Sequence, residues 1–283
     1  FLVNVPLAVV VLVLGRRLVE DRAPAPPRLD VSGTVLVGLG SGLLVAPLID
    51  TSLPAVWALA GIAVLVGFAV RQRHAASPLV ERSLFTDRSF PAALVASTLF
   101  FASTTGTTLV VVLRQQLVLG ADALSAGLTV LPWSVAMAAA SWIAGTRLVP
   151  RYGARLMPAG LGALAAGTGA AALADRLDAP LLLLAALALS GFGQGLYAVP
   201  FFTTALADVG AQESGSAAGL LNAVQQLGGT FGIALLSATF LHAGAAWAFA
   251  TAGVLVVLAG PVTATITRGS SGPSRRSTPR RWS

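Results

Sequence analysis

The sequence contains no cysteine and no lysine, and its only histidines are His74 and His242. Without cysteine there is no disulfide framework, no thiolate metal site and no cysteine nucleophile, and two separated histidines do not make a histidine-rich metal centre. Charge is scarce as well: 10% of the 283 residues are of charged types, against about 25% in an ordinary soluble domain. Hydrophobic residues make up 55% and the mean hydropathy is +0.82. Such a chain has too little polar surface to cover a water-soluble globule. That excludes a soluble enzyme, a nucleic-acid-binding module and a disordered tail as readings of the whole. The expected class is an all-α integral membrane protein, because in lipid every backbone N–H and C=O must be satisfied within the spanning structure and open sheet edges are not tolerated.

A helix crossing the hydrocarbon needs about 20 apolar residues. Nine apolar runs fall at residues 1–14, 31–49, 54–70, 91–113, 123–146, 156–174, 180–207, 215–241 and 243–267, so about nine transmembrane helices are expected. The first run is short for a span, and the chain opens on Phe1-Leu2-Val3-Asn4 rather than on a methionine and a basic signal-peptide region. The expectation is a C-terminal fragment whose first span is truncated.

The arginines test these spans independently of hydropathy. Arg16, Arg17, Arg22 and Arg28 fall in the loop at 15–30, and Arg71, Arg73, Arg82 and Arg88 in the loop at 71–90. Arg147, Arg151 and Arg155 follow the fifth run, and Arg268, Arg275, Arg276, Arg280 and Arg281 lie in the tail at 268–283. The alternate connections carry only Arg114 and Arg176. Sixteen arginines on one side and two on the other satisfy the positive-inside rule. The expected location is the plasma membrane, multi-pass, with the C-terminus cytoplasmic. The net charge of +7 is thus read as topology rather than as a nucleic-acid surface.

The chain then divides into a truncated helix (1–14), a proline-containing cytoplasmic loop (15–30) with a helix start near Asp30 or Ser32, a pair of helices (31–70), a second cytoplasmic loop (71–90), a six-helix unit (91–267) and a basic, disordered tail (268–283). The tail's arginines either report orientation alone or also attract anionic lipid.

No Asp, Glu or Arg falls in the middle of a run; Asp50, Asp208 and Glu213 lie at run ends or in loops. A buried carboxylate of the kind that relays protons is therefore expected outside this chain or among those end residues. The deep polar residues are amides, hydroxyls and amphipathic aromatics. Asn222, Gln225 and Gln226 fall at i, i+3 and i+4 and share one helical face. Because an amide is costly to expose to lipid, that face either bonds neighbouring helices or lines a wet cavity. Thr104, Thr105, Thr107 and Thr108, Trp133 and Met137, and Gln194, Tyr197, Phe201 and Phe202 form a candidate lining for a pocket that takes bulky amphipathic compounds. Packing between helices is the competing role for each aromatic. Gly191 and Gly195, Gly215 and Gly219, and Gly228 and Gly232 are small-xxx-small pairs suited to close helix contact. Pro132 and Pro200 lie inside long runs, where a kink or break is expected. An intramembrane enzyme would need a nucleophile facing a base, or a pair of acids, and neither combination occurs within the runs.

Several stretches resemble the major facilitator superfamily, specifically its fourteen-helix drug:proton antiporter branch. Phe1-Leu2-Val3-Asn4-Val5-Pro6 is similar to the start of that branch's sixth helix, and Arg28-Leu29-Asp30-Val31-Ser32-Gly33 to the entry of its seventh. Ser77-Pro78-Leu79, Leu84-Phe85 and Arg88-Ser89-Phe90 resemble the connection before the ninth. Glu213-x-Gly215-x-Ala217-Ala218-Gly219-x-x-Asn222, followed by Gln226-Leu227-Gly228-Gly229-x-x-Gly232, resembles the thirteenth. Gly145, Arg151, Gly153 and Arg155 match the degenerate second copy of the superfamily's cytoplasmic gating loop, with Pro150 at the position of that motif's acid.

The resemblance implies the C-terminal portion of a major facilitator superfamily fold, with residues 31–70 as the two extra linker helices and 91–267 as the C-terminal six-helix half. It implies secondary transport by alternating access, driven by a proton gradient and without a cofactor, with efflux of hydrophobic or cationic drugs and antibiotics as the activity. The implied substrate-binding set is Thr104, Thr105, Trp133, Met137, Gln194, Tyr197, Phe201, Asn222, Gln225 and Gln226. The implied partners are the bilayer, small substrates and the N-terminal half of the same transporter. A dedicated exporter of a self-made metabolite shares the same fold and stays open as the alternative.

Overall fold

A computed structural model describes residues 4–15, 30–49, 54, 56–72, 82–86, 88–207, 209–210 and 213–269. All regular structure among them is helical. The helices are α1 (Asn4–Gly15), α2 (Val31–Ile49), α3 (Val56–Gln72), α4 (Ser89–Leu113), α5 (Ala123–Ile143), the single turn α6 (Val149–Tyr152), α7 (Leu156–Arg176), α8 (Pro180–Ala205), α9 (Ser214–Ala243) and α10 (Ala245–Gly269). All but α6 overlap the nine apolar runs, with Val31–Leu44 and Val56–Gln72 as shorter apolar helices. The N-terminal Phe1-Leu2-Val3, most of the loop at 15–30, residues 73–81 of the next loop, Asp50, Asp208 and the tail from 270 onward lie outside the described residues.

Five helical stretches are long and apolar enough to cross a membrane, and one of them, Ala123–Arg176, is 54 residues long. It is two spans of opposite direction, α5 and α7, with α8 packed between them. Gly153 breaks it with φ +54°, a left-handed conformation that glycine adopts without a Cβ clash. The contacts of α8 fix the reversal. A Cβ on Gly191 would meet the backbone of Trp133, and one on Gly195 would lie 2.9 Å from Ser141 N, so α8 runs parallel to α5. On its other side Gly193 meets Gly160 and Leu164, and Gly167 meets Ala186 and Ser190, so α8 runs antiparallel to α7. Likewise Gly228 faces Thr98 and Gly232 faces Ala102, which sets α9 parallel to α4. Two of the small-xxx-small pairs thus seat helices backbone to backbone, whereas Cβ atoms on Gly215 and Gly219 would meet nothing within 4 Å.

The remaining seams are made by α10, which packs on α4, α7 and α9. Ser103 Oγ donates to the Ala252 carbonyl at 2.9 Å, and Gly244 at φ +89° allows the tight turn from α9 into α10. Most threonine and serine hydroxyls along the spans donate to the carbonyl one turn earlier, as Thr98 does to Leu94 and Thr168 to Leu164, so a polar group is satisfied inside its own helix. Helices α2 and α3 form an antiparallel hairpin, with Gly61 against Leu44 and Gly40 against Leu65.

Neither Pro132 nor Pro200 breaks its helix; α5 and α8 run through them. Proline removes one backbone bond, and the neighbouring helices hold the flanking turns. The irregular turns fall elsewhere, as π-helical turns at Arg114–Val118 and Ala144–Leu148, where α4 and α5 end.

Candidate functional site

Helices α4, α5 and α8 enclose an open cavity of about 490 Å³, within the size range of drug-binding clefts. α4 contributes Thr104, Thr105 and Thr108, α5 contributes Trp133 and Met137, and α8 contributes Gln194. α5 reaches this position because its start is fixed: Asp122 precedes it and accepts from the Ser125 backbone N–H at 2.8 Å, an N-cap worth about 1 kcal/mol. α8 begins on Pro180, where a missing N–H costs nothing.

Each polar group on the wall has a defined state. The Trp133 indole Nε1–H donates to Gln194 Oε1 at 2.6 Å, linking α5 to α8. Thr104 Oγ1 donates to the Phe100 carbonyl and Thr108 Oγ1 to the Thr104 carbonyl. Among the described residues no ionisable side chain lines the cavity.

Of the residues singled out from sequence, Thr104, Thr105, Trp133, Met137 and Gln194 come together on this wall. Tyr197 and Phe201 lie in the helix core instead. Both are fully buried, with their rings stacked 5.2 Å apart and Phe100 against Tyr197 at 4.6 Å. The Tyr197 hydroxyl is 3.2 Å from Thr263 Oγ1 on α10. Asn222 and Gln226 are exposed on α9, and Gln225 is half-buried. They continue the helical stripe of Gly229, whose Cβ position lies 3.2 Å from Thr105 Oγ1 of the cavity. The amide face therefore adjoins the cavity without lining it.

Gly145, Arg151, Gly153 and Arg155 all fall on the link from α5 to α7. Pro150 sits in the first turn of α6, where proline is tolerated. Arg151 and Arg155 are exposed, and the Arg151 guanidinium lies 5.5 Å from the Tyr152 ring centre.

Two charged clusters escaped the sequence reading. Arg114, treated there as a loop residue, is buried in the π turn ending α4; its Nε donates to Asp175 Oδ1 of α7 at 2.5 Å, with Asp178 at 3.9 Å. The available signal was the presence of Asp175 and Asp178 in the next connection on the same side. At the α2–α3 hairpin, Asp30 Oδ1 accepts from the Gly33 backbone N–H, and Oδ2 accepts from Arg71 at 2.7 Å and Gln72 at 2.9 Å. The Arg71 guanidinium, followed by the Gly33 N–H, holds this carboxyl well below the usual carboxylate range.

A helical bundle of apolar spans beside a hydroxyl- and amide-lined cavity is the architecture of a multi-pass membrane protein. The chain belongs to the Major Facilitator Superfamily, whose family model matches residues 1–233. The superfamily's secondary transporters draw on ion gradients and need no cofactor. The chain is 38% identical over 256 residues to the "Probable actinorhodin transporter" of Streptomyces coelicolor, covering 85% of this chain and 44% of that protein. It is 32% identical over 263 residues to "Multidrug resistance protein Stp" of Mycobacterium tuberculosis, covering 89% and 47%. It is also 32% identical over 266 residues to "Puromycin resistance protein pur8" of Streptomyces alboniger, covering 87% and 51%. The chain spans about half the length of the curated relatives it matches.

Proposed function

We propose that this chain is the C-terminal part of a proton-coupled exporter, which moves hydrophobic or cationic antibiotic-like compounds out of the cell by alternating access. The cavity between α4, α5 and α8 carries the reading. Its apolar walls supply affinity, and its few polar groups orient a ligand. The antibiotic-export and resistance names of the relatives support the substrate class. Thr104, Thr105, Trp133, Met137 and Gln194 contact substrate, while Tyr197 and Phe201 hold the helices that carry the site.

The partner surface follows from the exposed amides. Asn222, Gln225 and Gln226 have no side-chain hydrogen bond among the described residues, and leaving them against lipid would be costly. With the chain spanning about half of its relatives, their partner is the N-terminal half, and together the two halves enclose the substrate. Among the described residues no carboxylate lines the cavity on this side, which supports a coupling proton bound in that other half or at an acid at a helix end, such as Glu213. The link carrying Gly145, Arg151, Gly153 and Arg155 gates the cytoplasmic mouth, an orientation supported by the arginine distribution.

A second reading, a dedicated exporter of a metabolite made by the same cell, is in keeping with a relative named for a single compound, actinorhodin. The test is to produce the full-length protein in a host stripped of its own pumps and follow ethidium accumulation. Gradient-dependent lowering that a protonophore abolishes is the expected result. Unchanged accumulation of ethidium and of other unrelated compounds, with export of a single native compound, favours the second reading. Accumulation lowered equally with and without the gradient overturns proton coupling.

A further inference from the structure

The hydrogen-bond inventory of the cavity wall carries a chemical preference. The indole Nε1–H of Trp133 can only donate. Held 2.6 Å from Gln194, it decides which end of that amide is oxygen, a choice that the amide's shape alone leaves open. Gln194 must turn Oε1 to the indole. Its Nε2 then carries two N–H donors, and it has no partner among the described residues.

The neighbouring hydroxyls divide in a complementary way. Thr104 and Thr108 have already given their hydrogens to backbone carbonyls, whereas the Thr105 hydroxyl makes no hydrogen bond among the described residues and lies on the same wall. A hydroxyl that has given up its hydrogen still accepts, so Thr104 and Thr108 offer acceptors, Thr105 offers both, and Gln194 Nε2 is the free group on this wall that can only donate. Phe101, Trp133 and Met137 surround it with flat, polarisable apolar surface.

Resting on the exporter reading above, we propose that this wall recognises a planar compound bearing a carbonyl oxygen, such as an aromatic ketone or quinone. Gln194 Nε2 donates to that oxygen. Trp133 is the positioning residue that keeps the amide facing the right way. Replacing Gln194 by glutamate keeps an oxygen for Trp133 and removes the donor, which separates the two roles.

The experiment is equilibrium dialysis of the purified full-length protein against three probes: 2-(hydroxymethyl)anthraquinone, 2-(hydroxymethyl)anthracene, which has the same outline without the carbonyls, and tetraphenylphosphonium. Wild type is expected to bind the quinone roughly tenfold more tightly than the anthracene, the scale of one good hydrogen bond. Gln194→Glu should bring the two to near equality with the anthracene unchanged. Trp133→Phe should lower the quinone-to-anthracene ratio by about threefold, since its amide is free to flip; a merely structural loss would weaken both probes alike. Gln194→Met, which also lacks the donor, serves if Gln194→Glu does not fold, with the same loss of ratio expected. A ratio preserved in the Gln194 variants, or wild type that binds the anthracene as tightly as the quinone, overturns the proposal while leaving the exporter reading intact. Wild type that binds none of the three probes overturns both.

Discussion

Arg114 and Asp175 meet at 2.5 Å across the ends of α4 and α7, the arginine side chain being 8% exposed and the aspartate 21%. They close the bundle at the end opposite the α5–α7 link. Taking one charge from such a pair strands the other in a poorly solvated place, and that costs about 3 kcal/mol. Asp175→Asn and Arg114→Leu should each lower the thermal midpoint of the detergent-solubilised protein by several degrees. The double replacement by leucines should recover most of that loss. Equal midpoints for the single variants and wild type would show the pair to be energetically idle.

The glycine seam between α5 and α8 makes a sharper mutational contrast. A side chain at Gly195 has no room against Met137 and Ser141, and overpacking of this kind costs about 1–3 kcal/mol or more. Gly195→Leu is expected to abolish folded protein in the membrane. Gly169→Ala, where a Cβ meets nothing within 4 Å, should be neutral or stabilising by up to about 1 kcal/mol through helix propensity. Size-exclusion profiles of the two variants check the pair together.

At the hairpin, the sign of the pH effect follows from the lowered pKa of Asp30. A carboxyl more acidic in the folded state stabilises fully above its ordinary value and loses that contribution as pH falls toward the folded one. Spin labels on cysteines at Thr34 and Gly67 should report one α2–α3 distance between about pH 8 and 5, broadening only below about pH 4. In Asp30→Asn the broad distribution should be present throughout. A wild-type distance that changes near neutrality contradicts the clamp.

For the α9 amides, Asn222→Ala and Gln226→Ala in the full-length protein should reduce substrate resistance at unchanged protein level. Their side chains are exposed in this chain, so neither loss acts through the core. Unaltered resistance would remove both from the transport pathway.

Orientation is open to direct measurement because the chain has no cysteine of its own. A single cysteine at Arg151 should react with an impermeant maleimide only in inside-out vesicles, and one at Asp178 only in intact cells. The reverse pattern inverts the topology.

The helices were legible because a span is a run of apolar residues of fixed length, and α2, α8 and α9 follow the runs to within a few residues. Helix packing was partly legible: the pairs at Gly191 and Gly228 announced close contacts, while the identical spacing at Gly215 meets nothing. In lipid, both faces of a helix are apolar, so hydrophobic periodicity does not distinguish a core aromatic such as Phe201 from a cavity aromatic such as Trp133. Tertiary neighbours make that distinction. The Arg114–Asp175 pair joins residues 61 apart in sequence, and no local pattern encodes such a partnership.

Helix α8 lies between α5 and α7 with glycine at its closest approaches on both sides. Backbones in direct contact leave no layer of side chains to slide over. Trp133 and Gln194, bonded to one another, therefore keep their spacing through any tilt of the bundle, and their stretch of the cavity wall moves as one solid part.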